Sequence, residues 1–247
     1  APGLPNGSGL ARSRKPLTLP AHFHLDDITM SLGIIRVLTT SDDSVLEEHA
    51  RILQTRFGLQ SLTRCIPDQP NGIFDAASEA MAVPKIVQLG RELVDAGCRA
   101  LFLSCAADPG LALLRAAVPV PVISAGSAAA RVAEHLALPV AVLGIGAQAP
   151  APYRSLLGQD VAYARPEGVT QTTDLLKPDG RARALACAER LLANGARVIA
   201  FSCTGFSTIG LAPYLRERLG CVVVDAVDAS GMFAVEMLGG SAEEACV

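Results

Sequence analysis

Two cysteines occupy matching contexts in the two halves of the sequence. The first closes the segment Phe102-Leu-Ser-Cys105 and the second closes Phe201-Ser-Cys203. Each follows an apolar run typical of a buried strand, and each run is preceded by a glycine that would end a helix. The repeated order of helix, glycine, strand, Ser-Cys and loop indicates an internal duplication. Because open α/β sheets bind ligands at the carboxyl ends of their strands, the two cysteines could face each other across a cleft.

An opposed pair of thiols suits proton transfer at a carbon next to a carbonyl. A racemase without a cofactor needs one base on each face of that carbon, so that one thiolate removes the proton and the other thiol returns one. Helix N-termini and positive charge can bring a thiol pKa from about 8.5 toward neutrality. Backbone N–H groups could hold the developing negative charge. The candidate helpers are the backbone of Ala106 and Thr204 and the hydroxyls of Thr39, Thr40, Ser41 and Thr204.

Other chemistry has weaker support in the sequence. Buried cysteines are most often small apolar fillers, and this interpretation fits Cys65, Cys98, Cys187, Cys221 and Cys246. Gly144-Ile-Gly146 follows a strand, but the third glycine of a dinucleotide-binding fingerprint is absent, because position 149 is alanine. Ser207 lacks the Gly-x-Ser-x-Gly setting of a serine hydrolase. We therefore expect no cofactor.

The composition narrows the class of protein and its partners. The chain has 247 residues, of which 50% are hydrophobic and 18% charged, so a sizeable core is feasible. A net charge of −3 gives no footprint for nucleic acid or an anionic membrane, and no apolar run reaches the roughly 18 residues of a membrane span. Seven cysteines without close spacing favour free thiols in the cytoplasm, and the scattered histidines argue against a metal site. We expect a small-molecule substrate and a homo-oligomer.

Apolar runs alternate with amphipathic stretches along most of the chain. This alternation predicts an α/β fold with two pseudo-symmetric lobes, each a parallel four-stranded sheet flanked by helices, and with the active site in the cleft between them. Helices are expected near 44–57, capped by Ser41 or Asp42, and near 81–96, 109–117, 127–137, 179–193, 211–218 and 226–238. Strands are expected near 32–38, 59–65, 99–104, 120–123, 140–146, 160–163, 197–202 and 222–225.

The same pattern predicts how the chain divides. Residues 1–29 are rich in turn-forming residues, and we expect them to be an extension that is disordered or does not belong to the natural protein. The first lobe is expected to span 30–126 and the second 127–225. The segment 226–247 is expected to pack back on the first lobe.

Taken together, these motifs resemble the aspartate/glutamate/hydantoin racemase superfamily. The resemblance rests on Thr39-Thr-Ser, Ser104-Cys-Ala-Ala-Asp-Pro-Gly-Leu111, Pro121-Val-Ile-Ser-Ala-Gly126, Ser202-Cys-Thr-Gly-Phe206 and Val223-Val-Asp225. It extends over about residues 32 to 238 and is closest to the hydantoin racemase branch. It implies cofactor-independent racemisation or epimerisation of a hydantoin-like or amino-acid-like molecule, with Cys105 and Cys203 as the two bases. By position it also implies substrate contacts from Thr39, Thr40, Ser41, Ala106, Ala107, Thr204 and Gly205.

The sequence departs from two branches of that superfamily and leaves alternatives open. Glutamate racemases carry Asp-Ser after the first strand and Cys-Thr-His in the second half, where this chain has Thr39-Thr40 and Cys203-Thr-Gly205. Hydantoin racemases usually carry Asn-Pro-Asn-Thr after the first strand. A maleate-type cis–trans isomerase with a nucleophilic cysteine remains an alternative. So does a binding protein that keeps the cleft without turnover.

Overall fold

The computed structural model of the protein describes residues 32–239. The expected extension at residues 1–29 and the last part of the segment 226–247 lie outside the described residues. Two parallel four-stranded sheets form the described part, and helices flank both of them.

The first sheet, which defines the first lobe, has the strand order β2-β1-β3-β4. Its outer connections are helical, as right-handed crossovers between parallel strands require. Every residue of β1 and β3 is buried, because helices cover both faces of these central strands. The elements are β1 (Leu32–Arg36), α1 (Asp43–Leu46), α2 (Glu48–Phe57), β2 (Ser61–Cys65), α3 (Ala76–Asp95), β3 (Ala100–Ser104), α4 (Leu111–Ala117), β4 (Val122–Ser124) and α5 (Ala125–His135).

The second sheet, which defines the second lobe, repeats this arrangement with the strand order β6-β5-β7-β8. The third strand of each lobe, β3 or β7, therefore lies between the first and fourth strands of its sheet. The elements are β5 (Val140–Leu143), α6 (Ala151–Leu157), β6 (Ala162–Ala164), a 3₁₀ turn (Thr172–Leu176), α7 (Gly180–Ala193), β7 (Val198–Phe201), α8 (Gly205–Thr208), α9 (Leu211–Leu219), β8 (Val222–Val224) and α10 (Ala226–Leu238). The predicted fold class is confirmed.

Several element boundaries differ from the prediction for local reasons. Helix α3 begins at Ala76, because the Asp75 carboxylate accepts the Ser78 N–H at 2.8 Å and the Ser78 hydroxyl accepts the Asp75 N–H, a reciprocal cap. The helix expected over 44–57 is divided at Glu47, and Asp42 caps its first part. Helix α6, which we did not predict, follows Pro150 and tolerates Pro152 in its first turn, where no N–H partner is needed.

One hydrophobic core is shared by the two sheets. It contains Leu32 and Phe102 from the first sheet, Val142 and Val198 from the second, and a run of alanines in α5. Helix α10 contacts α2, α5, β3 and β4. A second core lies under α7 and α9, and a third lies under α3 and α4. The residue boundaries that we give for the two lobes stay a prediction.

Candidate active site

A cavity of about 500 Å³ lies where the carboxyl ends of β1 and β3 meet those of β5 and β7. Cys105 and Cys203 both line it, and each side chain is only 8% exposed. Cys105 directly follows Ser104, the last residue of β3, and Cys203 follows Ser202, the first residue after β7. The duplication seen in the sequence therefore brings one thiol from each lobe to a single cavity.

The loop after Cys105 is fixed by the carboxylate of Asp108. That carboxylate accepts the N–H groups of Gly126 and Ser127 at 2.7 and 2.8 Å and the hydroxyls of Ser124 and Ser127 at 3.0 and 2.5 Å. Asp108 thus caps α5 from another loop, and its negative charge lies at the positive end of that helix.

Close packing at Gly126 holds the same loop in place. A Cβ atom at Gly126 would lie 2.3 Å from the Ala106 carbonyl oxygen, so only glycine allows the loop to approach α5 this closely. Cys105 is therefore followed by a rigid turn.

The segment after Cys203 is joined to α10, and here the carboxylate lies on the helix and not in the segment after the cysteine. Here the carboxylate belongs to Asp225, the N-cap of α10, and it accepts the amides of Val227 and Asp228. Ser207, in the short helix α8 that follows Cys203, donates its hydroxyl to Asp225 at 2.7 Å. The Gly205 N–H points at Cys203 Sγ, with 3.4 Å between the nitrogen and the sulfur.

The two thiols differ in acidity. Burial raises the pKa of Cys203 to about 11, although the Gly205 amide, the Thr172 hydroxyl and the positive charge of Arg36 each favour its thiolate. Burial raises the pKa of Cys105 further, and the negative groups Cys203, Asp108 and Glu79 act in the same direction. Both thiols are therefore neutral at neutral pH, and Cys203 is the more acidic of the two.

Four of the seven predicted substrate-binding residues line the cavity. They are the small or polar residues directly after the two cysteines: Ala106, Ala107, Thr204 and Gly205.

The other three lie outside the cavity lining. The Thr39 hydroxyl donates to the Ile66 carbonyl at 2.6 Å and accepts the Gln69 N–H at 2.7 Å, so the loop after β2 occupies it. The Thr40 hydroxyl accepts the Asp42 N–H, and Ser41 is exposed. Substrate contacts from Thr39, Thr40 and Ser41 therefore stay a prediction.

Two buried polar residues near the cysteines were missed by sequence reasoning. Arg36, at the end of β1, lines the cavity and donates to the carbonyls of Val45 and Leu46, both at 2.8 Å. Burial lowers the pKa of Arg36 to about 10, which leaves it positively charged at neutral pH. His49, in α2, is completely buried, and burial together with Arg36 lowers its pKa well below the usual value.

More polar side chains reach the cavity from both lobes. Asp75 and Glu79 come from the start of α3, and Arg154 comes from α6. Tyr163 also lines the cavity and donates its hydroxyl to the Gly146 carbonyl at 2.8 Å. The cavity thus offers acidic and basic side chains around two thiols.

Residues 32–239 contain no cluster of three His, Cys, Asp or Glu side chains suited to a metal ion. Among the same residues, no helix is both long and apolar enough to span a membrane.

The fold and the cavity define a class of protein: a two-lobed α/β protein in which each lobe contributes one cysteine to a shared cleft. The family model for Asp/Glu/hydantoin racemases matches residues 32–233. The chain belongs to this family, and the resemblance found in the sequence is confirmed.

Solved structures of other proteins share the fold. Allantoin racemase from Klebsiella pneumoniae is 22% identical, with 85% of this chain and 88% of that chain covered and a TM-score of 0.72. Glutamate racemase from Thermus thermophilus is 16% identical, with 85% of this chain and 81% of that chain covered and a TM-score of 0.61. Arylmalonate decarboxylase is 17% identical, with 87% of this chain and 95% of that chain covered and a TM-score of 0.55. Among curated proteins, none matches the chain in sequence.

Proposed function

We propose that the protein is a cofactor-independent racemase or epimerase in which Cys105 and Cys203 act on opposite faces of a carbon acid. The observation that carries this proposal is the placement of the two thiols at equivalent positions of two equivalent sheets, around one cavity. The family supports an isomerase. The presence of both cysteines favours a two-base reaction over one that needs a single proton donor.

Because Cys203 is the more acidic thiol, we describe the reaction for the enantiomer whose proton faces Cys203. The Cys203 thiolate removes the proton from the carbon next to the carbonyl, which leaves an enolate. The Cys105 thiol then donates its proton to the opposite face of that carbon. The products are the inverted substrate, a Cys203 thiol and a Cys105 thiolate, and the reverse reaction begins from this state. The backbone amides of Ala106 and Thr204, directly after the cysteines, are the groups that we propose to stabilise the enolate oxygen.

The substrate that we propose is a hydantoin-like ring. Its carbonyl and N–H groups carry no full charge and can form hydrogen bonds with the polar residues that line the cavity. A cavity of about 500 Å³ is of the right size for such a small molecule. A free amino acid would carry a carboxylate and an ammonium group and is the alternative substrate. We further propose that the protein works in the cytoplasm, because its cysteines are free thiols in the described residues.

Proton NMR in deuterated buffer tests this function. The wild-type protein is incubated with 5-substituted hydantoins, amino acids, 2-substituted malonates and maleate. We expect the proton at the stereogenic carbon of one enantiomerically pure hydantoin to disappear while chiral chromatography shows the other enantiomer forming. A matched control replaces both Cys105 and Cys203 by serine and should show neither change.

Other outcomes contradict the proposal in distinct ways. Conversion of maleate to fumarate, with a covalent cysteine adduct found by mass spectrometry, would establish the isomerase alternative. Stabilisation of the protein by a hydantoin without any isotope exchange would establish a binding protein.

A further inference from the structure

A buried histidine forms hydrogen bonds with the residues next to both cysteines. The His49 ring lies 2.7 Å from Ser104 Oγ through Nδ1. Its Nε2 lies 3.1 Å from the Thr204 carbonyl oxygen and 2.9 Å from Thr208 Oγ1. Ser104 directly precedes Cys105 and Thr204 directly follows Cys203, so one imidazole joins the two loops.

The direction of these hydrogen bonds follows from the partners. The Thr204 carbonyl can only accept, so Nε2 carries the proton, and Nδ1 accepts the Ser104 hydroxyl. Arg36 donates to Thr208 Oγ1 at 3.4 Å and keeps a positive charge beside the ring. The ring is fully buried beside this charge, which favours its neutral form, the form that can accept at one nitrogen and donate at the other.

A second hydrogen bond runs in parallel with the first. The Thr204 hydroxyl donates to the Ser104 carbonyl at 3.1 Å, again from one lobe to the other. We name the group formed by His49, Ser104, Thr204 and Thr208 the inter-lobe clasp. It lies among buried residues, where hydrogen bonds are strengthened by the low local dielectric.

We propose that His49 is a positioning residue that sets the spacing between Cys105 and Cys203 through the inter-lobe clasp. This inference rests on the proposed two-base reaction, because only that reaction needs both thiols within reach of one carbon. Proton removal needs a single thiolate, whereas inversion needs one thiol correctly placed on each face of the carbon. Displacement of one thiol by about 1 Å is expected to cost inversion about 100-fold. The role of His49 can therefore be separated from general stability.

The first experiment measures the spacing without a substrate. 1,3-Dibromopropan-2-one alkylates both thiols with release of two HBr, its three-carbon spacer fits between thiols that are separated by a substrate, and peptide mapping by mass spectrometry identifies the Cys105–Cys203 bridge. We expect His49→Leu to lower the rate of bridging at least several-fold relative to wild type. His49→Gln should recover much of the rate, because its amide can still donate and accept. Cys105→Ser provides the control without a bridge.

If His49→Leu does not fold, as judged by circular dichroism, Ser104→Ala takes its place. It removes only the hydroxyl on the Nδ1 side. Equal bridging in wild type and in the folded variant would overturn the inference.

The second experiment measures exchange and inversion on the same substrate. In wild type, uptake of deuterium should accompany formation of the opposite enantiomer. In His49→Leu, we expect inversion to fall far more than exchange, so that deuterium enters with retention of configuration. A purely structural role would lower both rates in the same proportion and would overturn the inference. If wild type forms the bridge in a His49-dependent way but exchanges no substrate, the proposed function fails and the positioning of the thiols stands.

Discussion

The loops that follow Cys105 and Cys203 share a backbone plan and differ in where the carboxylate lies. In the first lobe the acid is Asp108, within the loop, and it reaches out to the amides of α5. In the second lobe the acid is Asp225, at the start of α10, and the loop contributes the Ser207 hydroxyl. Both arrangements place one negative charge at a helix N-terminus and attach the cysteine loop to it.

The consequence for the thiols is unequal. Asp108 lies close enough to Cys105 to raise the pKa of that thiol, and Glu79 acts in the same sense. Cys203 instead has Arg36 nearby, and this positive charge offsets part of the rise in pKa that burial causes. The two cysteines occupy equivalent positions in the two sheets, while the charged residues around them differ. The comparison shows that the symmetry of the fold does not make the two cysteines chemically equivalent.

The largest effect is expected when either cysteine is removed. Cys105→Ser and Cys203→Ser should each lower racemisation by about 10²–10⁴-fold, because a serine hydroxyl is a far weaker acid than a thiol. Chiral chromatography measures the rate, and circular dichroism checks the fold. Full activity in either variant would remove the two-base reaction, and with it the functional meaning of the comparison.

The next effect concerns stability and the carboxylate of Asp225. Burial and the nearby Asp228 raise its pKa to about 6. The unfolded chain ionises this group near its usual value of about 4, so between these values the folded state binds more protons and stability falls as pH rises. In wild type this loss should amount to at most about 3 kcal/mol between about pH 4 and above pH 6.

Urea unfolding of wild type and Asp225→Asn at several pH values measures this contribution. The free energy of unfolding of wild type minus that of the variant should decrease as pH rises through this range. A difference that increases with pH would show that Asp225 is stabilised as a carboxylate by the helix. Asp108→Asn is the matched variant of the first lobe, and its pKa is also raised by burial, so the same sign is expected.

A smaller effect is expected at Arg36. Arg36→Gln removes the positive charge near Cys203 and should slow its alkylation by iodoacetamide about tenfold at pH 9, because a smaller fraction is thiolate. Arg36→Lys keeps a positive charge and serves as the control. Mass spectrometry of both cysteines provides the comparison within one molecule. If Cys105 slowed as much as Cys203, the charge of Arg36 would not distinguish the thiols.

The smallest effect is expected at Glu79. This carboxylate raises the pKa of Cys105 less than Asp108 does. Glu79→Gln should therefore speed the alkylation of Cys105 by only about twofold. The alkylation of Cys203 is the internal reference, and a larger change there than at Cys105 would contradict the assignment of Glu79 to the first thiol.

The sequence was sufficient to predict the fold class and the meeting of the two cysteines. Alternating apolar runs predict parallel strands, and the repeated Ser-Cys motif places both thiols at equivalent strand ends. These features depend on local pattern and on the general rule that ligands bind at the carboxyl ends of parallel strands. Cys105 and Cys203 line the same cavity for this reason.

Polar contacts between distant segments could not be predicted. Arg36 stands in an apolar strand sequence, and its partners lie in the next helix and in the second lobe. His49 has no motif around it, since its partners are Ser104 and Thr204, far along the chain. Thr39 has the right type and place in the sequence, yet the loop after β2 accepts and donates its hydrogen bonds. The reciprocal cap at Asp75 was the one local signal that was available and missed.

Helix α10 has a consequence for synthesis of the protein. Its Gly231 packs so closely on Phe57 that an added Cβ would lie 2.4 Å from the ring, and Asp228 pairs with Arg56. The helix thus covers α2 and β3, which are made long before it. On the ribosome, the early half of the chain must emerge and wait with that apolar face exposed until residue 238 has left the exit tunnel. Nascent chains stalled before α10 should therefore bind chaperones, and chains of the full sequence released from the ribosome should not.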